Sequence, residues 1–163
     1  MNRTGLTAMQ FALALLAGGA ALLGLAFGFT SFGSAPQLTV FFALGAASLL
    51  RLALPFSLWL DGALMLFGAV ALILALPEEG AMPAHFWWAL VASWAFAWLF
   101  VERLSAAIRA GHLPETGTDL VIPVIFGLAL LVAWEVVTRG ANVPPVLLPP
   151  PSAIWARMTA EVP

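Results

Sequence analysis

Apolar residues run along the chain in long unbroken blocks, with no strand-like or amphipathic-helix alternation of polar positions between them. Five such blocks stand out, at 8–29, 38–54, 56–76, 85–101 and 120–138. The first holds 22 residues, which as an α-helix at ~1.5 Å per residue is ~33 Å long, enough for a hydrocarbon layer of ~30 Å. The pattern predicts membrane-spanning helices, joined where polar residues, Gly and Pro gather. These joints are Thr30–Gln37 with Gly33 and Pro36, then Pro55, then Pro77-Glu78-Glu79-Gly80 with Pro83. The fourth joint is the polar stretch Glu102–Asp119, which leaves the membrane as a helix and is broken at Gly111, Pro114 and Gly117. The predicted fold is all-α, with about five transmembrane helices.

A cleaved signal peptide is the competing reading of the first block, with Arg3 ahead of it and Ser31-Phe32-Gly33 as a small-residue cleavage site. Such peptides carry apolar cores of only ~7–15 residues, so we read a retained span. Within it Ala20, Gly24 and Gly28 recur every fourth residue on one helix face. That stripe either admits a closely packed helix or reflects the abundance of Ala and Gly.

Composition agrees with lipid as the solvent. Hydrophobic residues make up 63% of the 163, charged residues 9%, and the mean hydropathy is +1.03. A soluble domain is about a quarter charged, so too little polar surface exists here to face water on all sides. Net charge is −2, and the six basic residues, all Arg, are dispersed, which leaves no basic patch for nucleic acid. The absence of Cys excludes disulfides, thiolate metal sites and Cys nucleophiles.

Two charges fall inside the apolar blocks. Arg51 precedes Pro55 by four residues and Asp61 follows it by six, so on adjacent antiparallel helices they lie ~6 and ~9 Å from the turn. At matched depth they can pair and reduce each other's desolvation cost. Such a pair is either part of a substrate or proton path, or a structural pair near the interface with Arg51 snorkelling to the headgroups. We expect the structural pair.

The fourth block opens with His85, Trp87 and Trp88, residues suited to the headgroup layer, and continues with Trp94 and Trp98 four apart. We read these aromatics as packing and anchoring residues rather than a stacking platform for a ligand. His85 has no metal-ligand partner at a suitable spacing, and in this topology His85 and His112 fall on opposite sides of the membrane. No metal site, His-Glu-x-x-His, Gly-x-Ser-x-Gly or phosphate loop is present, and we expect no enzyme.

The Arg distribution sets the orientation. Arg3, Arg51, Arg103 and Arg109 lie on one side, and the loops on the other side through the first four spans hold none. Positive charge stays in the cytoplasm, so the N-terminus is cytoplasmic, the fifth span runs outward and the tail is external. Arg139 and Arg157 run against this placement. At the end of the fifth block Glu135 and Arg139 form an i, i+4 pair, a helix-surface interaction of a few tenths of a kcal/mol.

Residues 142–155 read NVPPVLLPPPSAIW. The five Pro predict an extended, polyproline-like path up to Pro151. Ser152 is a candidate N-cap for a short interfacial helix over 153–161, with Ile154, Trp155 and Met158 on one side.

This ending resembles the N-terminal segment of ABC importer permeases, most closely the nitrate/sulfonate/taurine type. The matching residues are Val132, Trp134, Glu135, Gly140, Pro144, Pro145, Leu148, Pro149, Pro151, Ser152, Ile154 and Trp155; Pro150 stands where that family most often has Ser. The likeness covers 121–163. It implies two units: a four-span membrane domain with its linker at 1–115, and the first span and start of a permease-like domain at 116–163. It also implies a multi-pass protein of the bacterial inner membrane, serving an ATP-driven importer of a small solute, an anion such as nitrate or a sulfonate. The partners implied are a cytoplasmic ATPase subunit, an extracytoplasmic substrate-binding protein and a second permease subunit. This chain would hold no cofactor, since the ATPase subunit would bind ATP. The Glu-Ala-Ala coupling loop and the remaining core spans of that family do not occur in the sequence, so we expect a piece of a longer permease. The alternative is a stand-alone accessory or scaffold membrane protein, with an incidental Pro-rich tail.

Overall fold

The computed structural model describes residues 7–28, 35–53, 57–76, 81–112 and 118–160, with the side chains of 35–38 and 118–119 outside that description. The architecture is all-helical, with no strand among the described residues. The helices are α1 (Ala8–Gly28), α2 (Ala35–Ala53), α3 (Leu58–Leu74), α4 (Trp87–Arg109), α5 (Thr118–Gly140) and α6 (Pro151–Ala160), and a short 3₁₀ turn, Ala84–Phe86, leads into α4.

The helix starts follow local side-chain chemistry. Thr7 and Gln10 form a reciprocal capping box: the Gln10 N–H donates to Thr7 Oγ1 at 3.2 Å, and the Thr7 N–H donates to Gln10 Oε1 at 3.1 Å. Ser57 caps α3 by accepting the Leu60 N–H at 3.3 Å. The ends of α4 and α5 are alike. Gly111 (φ 69°) and Asn142 (φ 51°) take the left-handed conformation. The next residue then donates back to a carbonyl in the last turn, His112 to Ala107 at 3.0 Å and Val143 to Thr138 at 2.9 Å. This is the Schellman ending, in which Gly or Asn avoids the Cβ penalty.

Small residues set the packing of the first four helices. Ala14, Ala17, Ala20 and Ala21 of α1 are buried, as are Ala89, Ala92 and Ala95 of α4, and α1 packs extensively against both α4 and α2. A Cβ added to Gly24 would overlap the ring of Phe41 on α2. The close-approach reading of the stripe therefore holds at Ala20 and Gly24; the surroundings of Gly28 lie outside the described residues. Phe41 meets Phe86 edge-on at a centroid distance of 5.9 Å, and both are fully buried.

α5 is different. It buries Glu135, Val136, Thr138 and Gly140 at its C-terminal end, while Val124, Phe126, Leu128, Leu130 and Leu131 stay exposed. Only 11% of its most apolar stretch is buried, against 50% for α4. The helix is pinned at one end and presents the rest of its apolar surface outward.

Three helices, Ala8–Phe27, Ala84–Arg109 and Leu120–Gly140, are long and apolar enough to cross a membrane. α2 (19 residues) and α3 (17 residues) are shorter. At ~1.5 Å per residue α3 reaches ~26 Å, just under the ~30 Å of a hydrocarbon core. As expected, the helix of the fourth block runs on past residue 101 without interruption to Arg109 and stops at Gly111.

Candidate functional site: polar centres at the two ends of the bundle

The first centre lies where α2 leads into α3. Arg51, two residues before the end of α2, pairs through Nε with Asp61 Oδ1 in the first turn of α3. The expected pair is present, but snorkelling is not: the Arg51 side chain is 0% exposed. A third helix enters as well. Arg103 on α4 places Nε 3.2 Å from Asp61 Oδ2, and its Nη1 donates to Gln10 Oε1 on α1 at 3.2 Å. All four side chains are buried, so each of α1 to α4 contributes one polar group to a single buried cluster. Two guanidinium groups share one carboxylate, and Arg51 Nη1 and Nη2 find no acceptor among the described residues.

In low dielectric this arrangement ties the four helices at a single level. A buried ion pair contributes little net stability over an apolar equivalent, yet removing one partner strands charge at a cost of several kcal/mol. Gln10 and Arg103 were missed as members of the cluster. Their signal was a polar residue in the first turn of one apolar block and another at the far end of an antiparallel block, hence at the same depth as Arg51.

The second centre lies at the opposite end, where α5 leads into α6. Glu135 is buried, and its Oε2 accepts the Ser152 N–H at 3.0 Å while Oε1 accepts the Ser152 hydroxyl at 2.6 Å. Arg139 Nη1 donates to Glu135 Oε1 at 3.3 Å. The expected helix-surface pair is thus the smaller part of what Glu135 does. Its main partner is the start of α6, where an anion satisfies a free N–H and meets the positive end of the helix.

Ser152 is not the N-cap. Helix α6 begins at Pro151, suited to a first helical position because it needs no N–H partner. The Pro150 carbonyl takes the first helical bonds, from Ala153 at 3.0 Å and Ile154 at 3.2 Å. Ser152 therefore sits inside the first turn, with its own N–H free to reach Glu135. The preceding Pro-rich run is not fully extended either. The Pro144 carbonyl accepts the Leu147 and Leu148 N–H groups at 2.9 and 3.2 Å, which folds the chain into a turn beyond Pro145.

Gly140 joins this end to the first four helices. Its carbonyl accepts the Met82 N–H at 2.6 Å. A Cβ at Gly140 would sit 3.2 Å from the Trp87 ring and 3.5 Å from Met82 Cγ. Trp134 lies one residue before Glu135, half-buried, with Nε1 lacking an acceptor among the described residues. Pro144, Pro145, Leu148 and Trp155 are exposed, Trp155 at 69%, and α6 buries none of its residues. Pro149 and Pro151 are half-buried.

Of the Trp94–Trp98 ridge, Trp94 meets Phe126 of α5 edge-on at 6.1 Å, whereas Trp98 is exposed. Among the described residues no group of three or more His, Asp or Glu is placed to hold a metal ion. No family model matches the chain, and neither a curated protein nor a solved structure matches it.

Proposed function

We propose that this chain is a membrane-spanning permease subunit, or a piece of one, in an ATP-driven importer of a small solute in a bacterial inner membrane. On this reading α1 to α5 each cross the bilayer, with the N-terminus in the cytoplasm, and α6 lies along the outer surface. The Gln10–Arg51–Asp61–Arg103 cluster then sits at the cytoplasmic end, and the Glu135–Ser152 contact at the outer end. Helices α1 to α4 form an added domain, and α5 is the first span of the transport unit. The small solute is an anion such as nitrate or a sulfonate by resemblance alone.

The supporting observation is the Glu135–Ser152 contact. Both residues belong to the permease-like pattern, and their bonding makes the span, the Pro-rich turn and the surface helix one constructed unit. The outward-facing apolar surface of α5 also suits a span that packs against further transmembrane segments. The cargo path would run between this subunit and a second permease subunit, with opening driven by an ATPase subunit and solute delivered by an extracytoplasmic binding protein.

The test is affinity purification of the full-length protein from its native membrane in mild detergent. A co-purifying subunit with ATP hydrolysis is expected. A preparation without any nucleotide-hydrolysing partner, from membranes where the transporter is active, overturns the reading.

A further inference from the structure

Between α3, α4 and α5 lies a groove of about 540 Å³. Ala69 of α3, Ser93 and Trp94 of α4, and Ala129 and Val132 of α5 line its length. Its walls are almost wholly apolar, and one end is lined by Glu135, Arg139 and Ser152. It exists because α5 buries residues mainly near Gly140 and, further along, meets α4 through contacts such as Trp94–Phe126 while leaving most of its apolar side chains uncovered.

From this groove we infer a binding site for one acyl chain of an anionic phospholipid, with the lipid phosphate held by Arg139. Size favours a chain over a helix. A 150 Å³ apolar cavity holds one benzene, so by the same measure this groove takes roughly twenty carbon atoms. One turn of a leucine helix, ~3.6 residues, already carries more heavy atoms than that. Charge supplies the headgroup. Glu135 is already satisfied by the Ser152 N–H and hydroxyl. Arg139 bonds Glu135 through Nη1 alone, and about a third of its side chain (34%) is exposed. A guanidinium offers five N–H donors in a fork that matches phosphate, so donors remain at the end of the groove where a headgroup would sit. Arg139, one of the two residues that run against the positive-inside distribution, thereby acquires a partner in the outer leaflet. The inference rests on the membrane-spanning reading but not on ATP-driven transport.

Trp94 lines the groove and reports its contents. The purified protein is reconstituted in bilayers with increasing fractions of phospholipid brominated on the acyl chain, with either a phosphatidylglycerol or a phosphatidylcholine headgroup. The Trp94 contribution is the difference in quenching between the parent and Trp94→Phe. Trp94 is expected to be half-quenched at a fraction of brominated phosphatidylglycerol about fivefold lower than of brominated phosphatidylcholine, the factor that one Arg near an anionic headgroup supplies. Arg139→Gln removes that preference, and Ala129→Phe, which fills the groove, removes the Trp94 quenching itself. Both variants lie on α5 but ten residues apart, one at a part-exposed guanidinium near the helix end and one on the groove wall, so loss of folding in one leaves the other informative. Quenching in proportion to bulk lipid with no headgroup preference overturns the site. So does an unquenched Trp94 while the exposed Trp59 and Trp155 are quenched, which would place protein in the groove. If no Trp is quenched, the membrane-spanning reading fails as well.

Discussion

Asp61 of α3 and Arg103 of α4 lie 3.2 Å apart inside the bundle, and the same carboxylate also pairs with Arg51 of α2. The carboxylate is therefore the only described negative charge set between two buried cations. Asp61→Asn keeps the shape but removes the carboxylate that both Arg51 and Arg103 pair with. Breaking a buried pair in this way costs about 3–5 kcal/mol, so a large drop in thermal midpoint in detergent is expected. Arg103→Met should cost less, because it leaves the Arg51–Asp61 pair intact and removes a charge together with its contacts to Asp61 and Gln10. An Asp61→Asn protein as stable as the parent would show that the cluster ties nothing together.

At the other end, Ser152→Ala removes a hydroxyl from Glu135 but leaves the N–H contact, whereas Glu135→Ala removes both. A hydrogen bond to a charged group contributes about 1.5–3 kcal/mol. The serine variant should loosen α6 modestly, and the glutamate variant should release it. Amide hydrogen exchange over residues 151–160 reads the difference directly. Equal exchange in parent and Glu135→Ala would mean that α6 is held by something other than Glu135.

Gly24 faces Phe41 so closely that no side chain fits without movement. Gly24→Leu should force α1 and α2 apart and cost about 1–3 kcal/mol. A compensating Phe41→Ala in the same chain should recover part of that loss, since the two residues are direct neighbours and their effects do not add. Strictly additive destabilisation would contradict the contact.

The helices themselves were largely legible, because an apolar block long enough to thread a bilayer admits few other structures. The Arg51–Asp61 pair was legible from distance to Pro55 alone. What sequence did not yield depended on three-dimensional neighbours. Arg103 joins the cluster only because α4 packs beside α3, and Glu135 reads as a surface residue until α6 folds back onto it. Turn formation beyond Pro145 was hidden because Pro fixes its own φ yet leaves its carbonyl free to accept, as the Pro144 carbonyl does. The stripe at Ala20 and Gly24 could be decided only by finding Phe41 opposite.

The absence of cysteine makes the orientation testable without background. Val146, 95% exposed in the turn before α6, and His112, exposed at the end of α4, lie at opposite ends of the helices in the proposed topology. With the N-terminus cytoplasmic, Val146→Cys should react with a membrane-impermeant maleimide in spheroplasts, and His112→Cys should react only after the membrane is opened. Both substitutions are at exposed positions, where changes usually stay within about 0.5 kcal/mol, so folding should be unaffected. Reversed labelling would invert the topology, since α5 and α4 would each run the other way. The Arg51–Asp61–Arg103 cluster would then face outward, and Arg139 would lie on the cytoplasmic side, where positive charge is ordinary and needs no lipid to explain it.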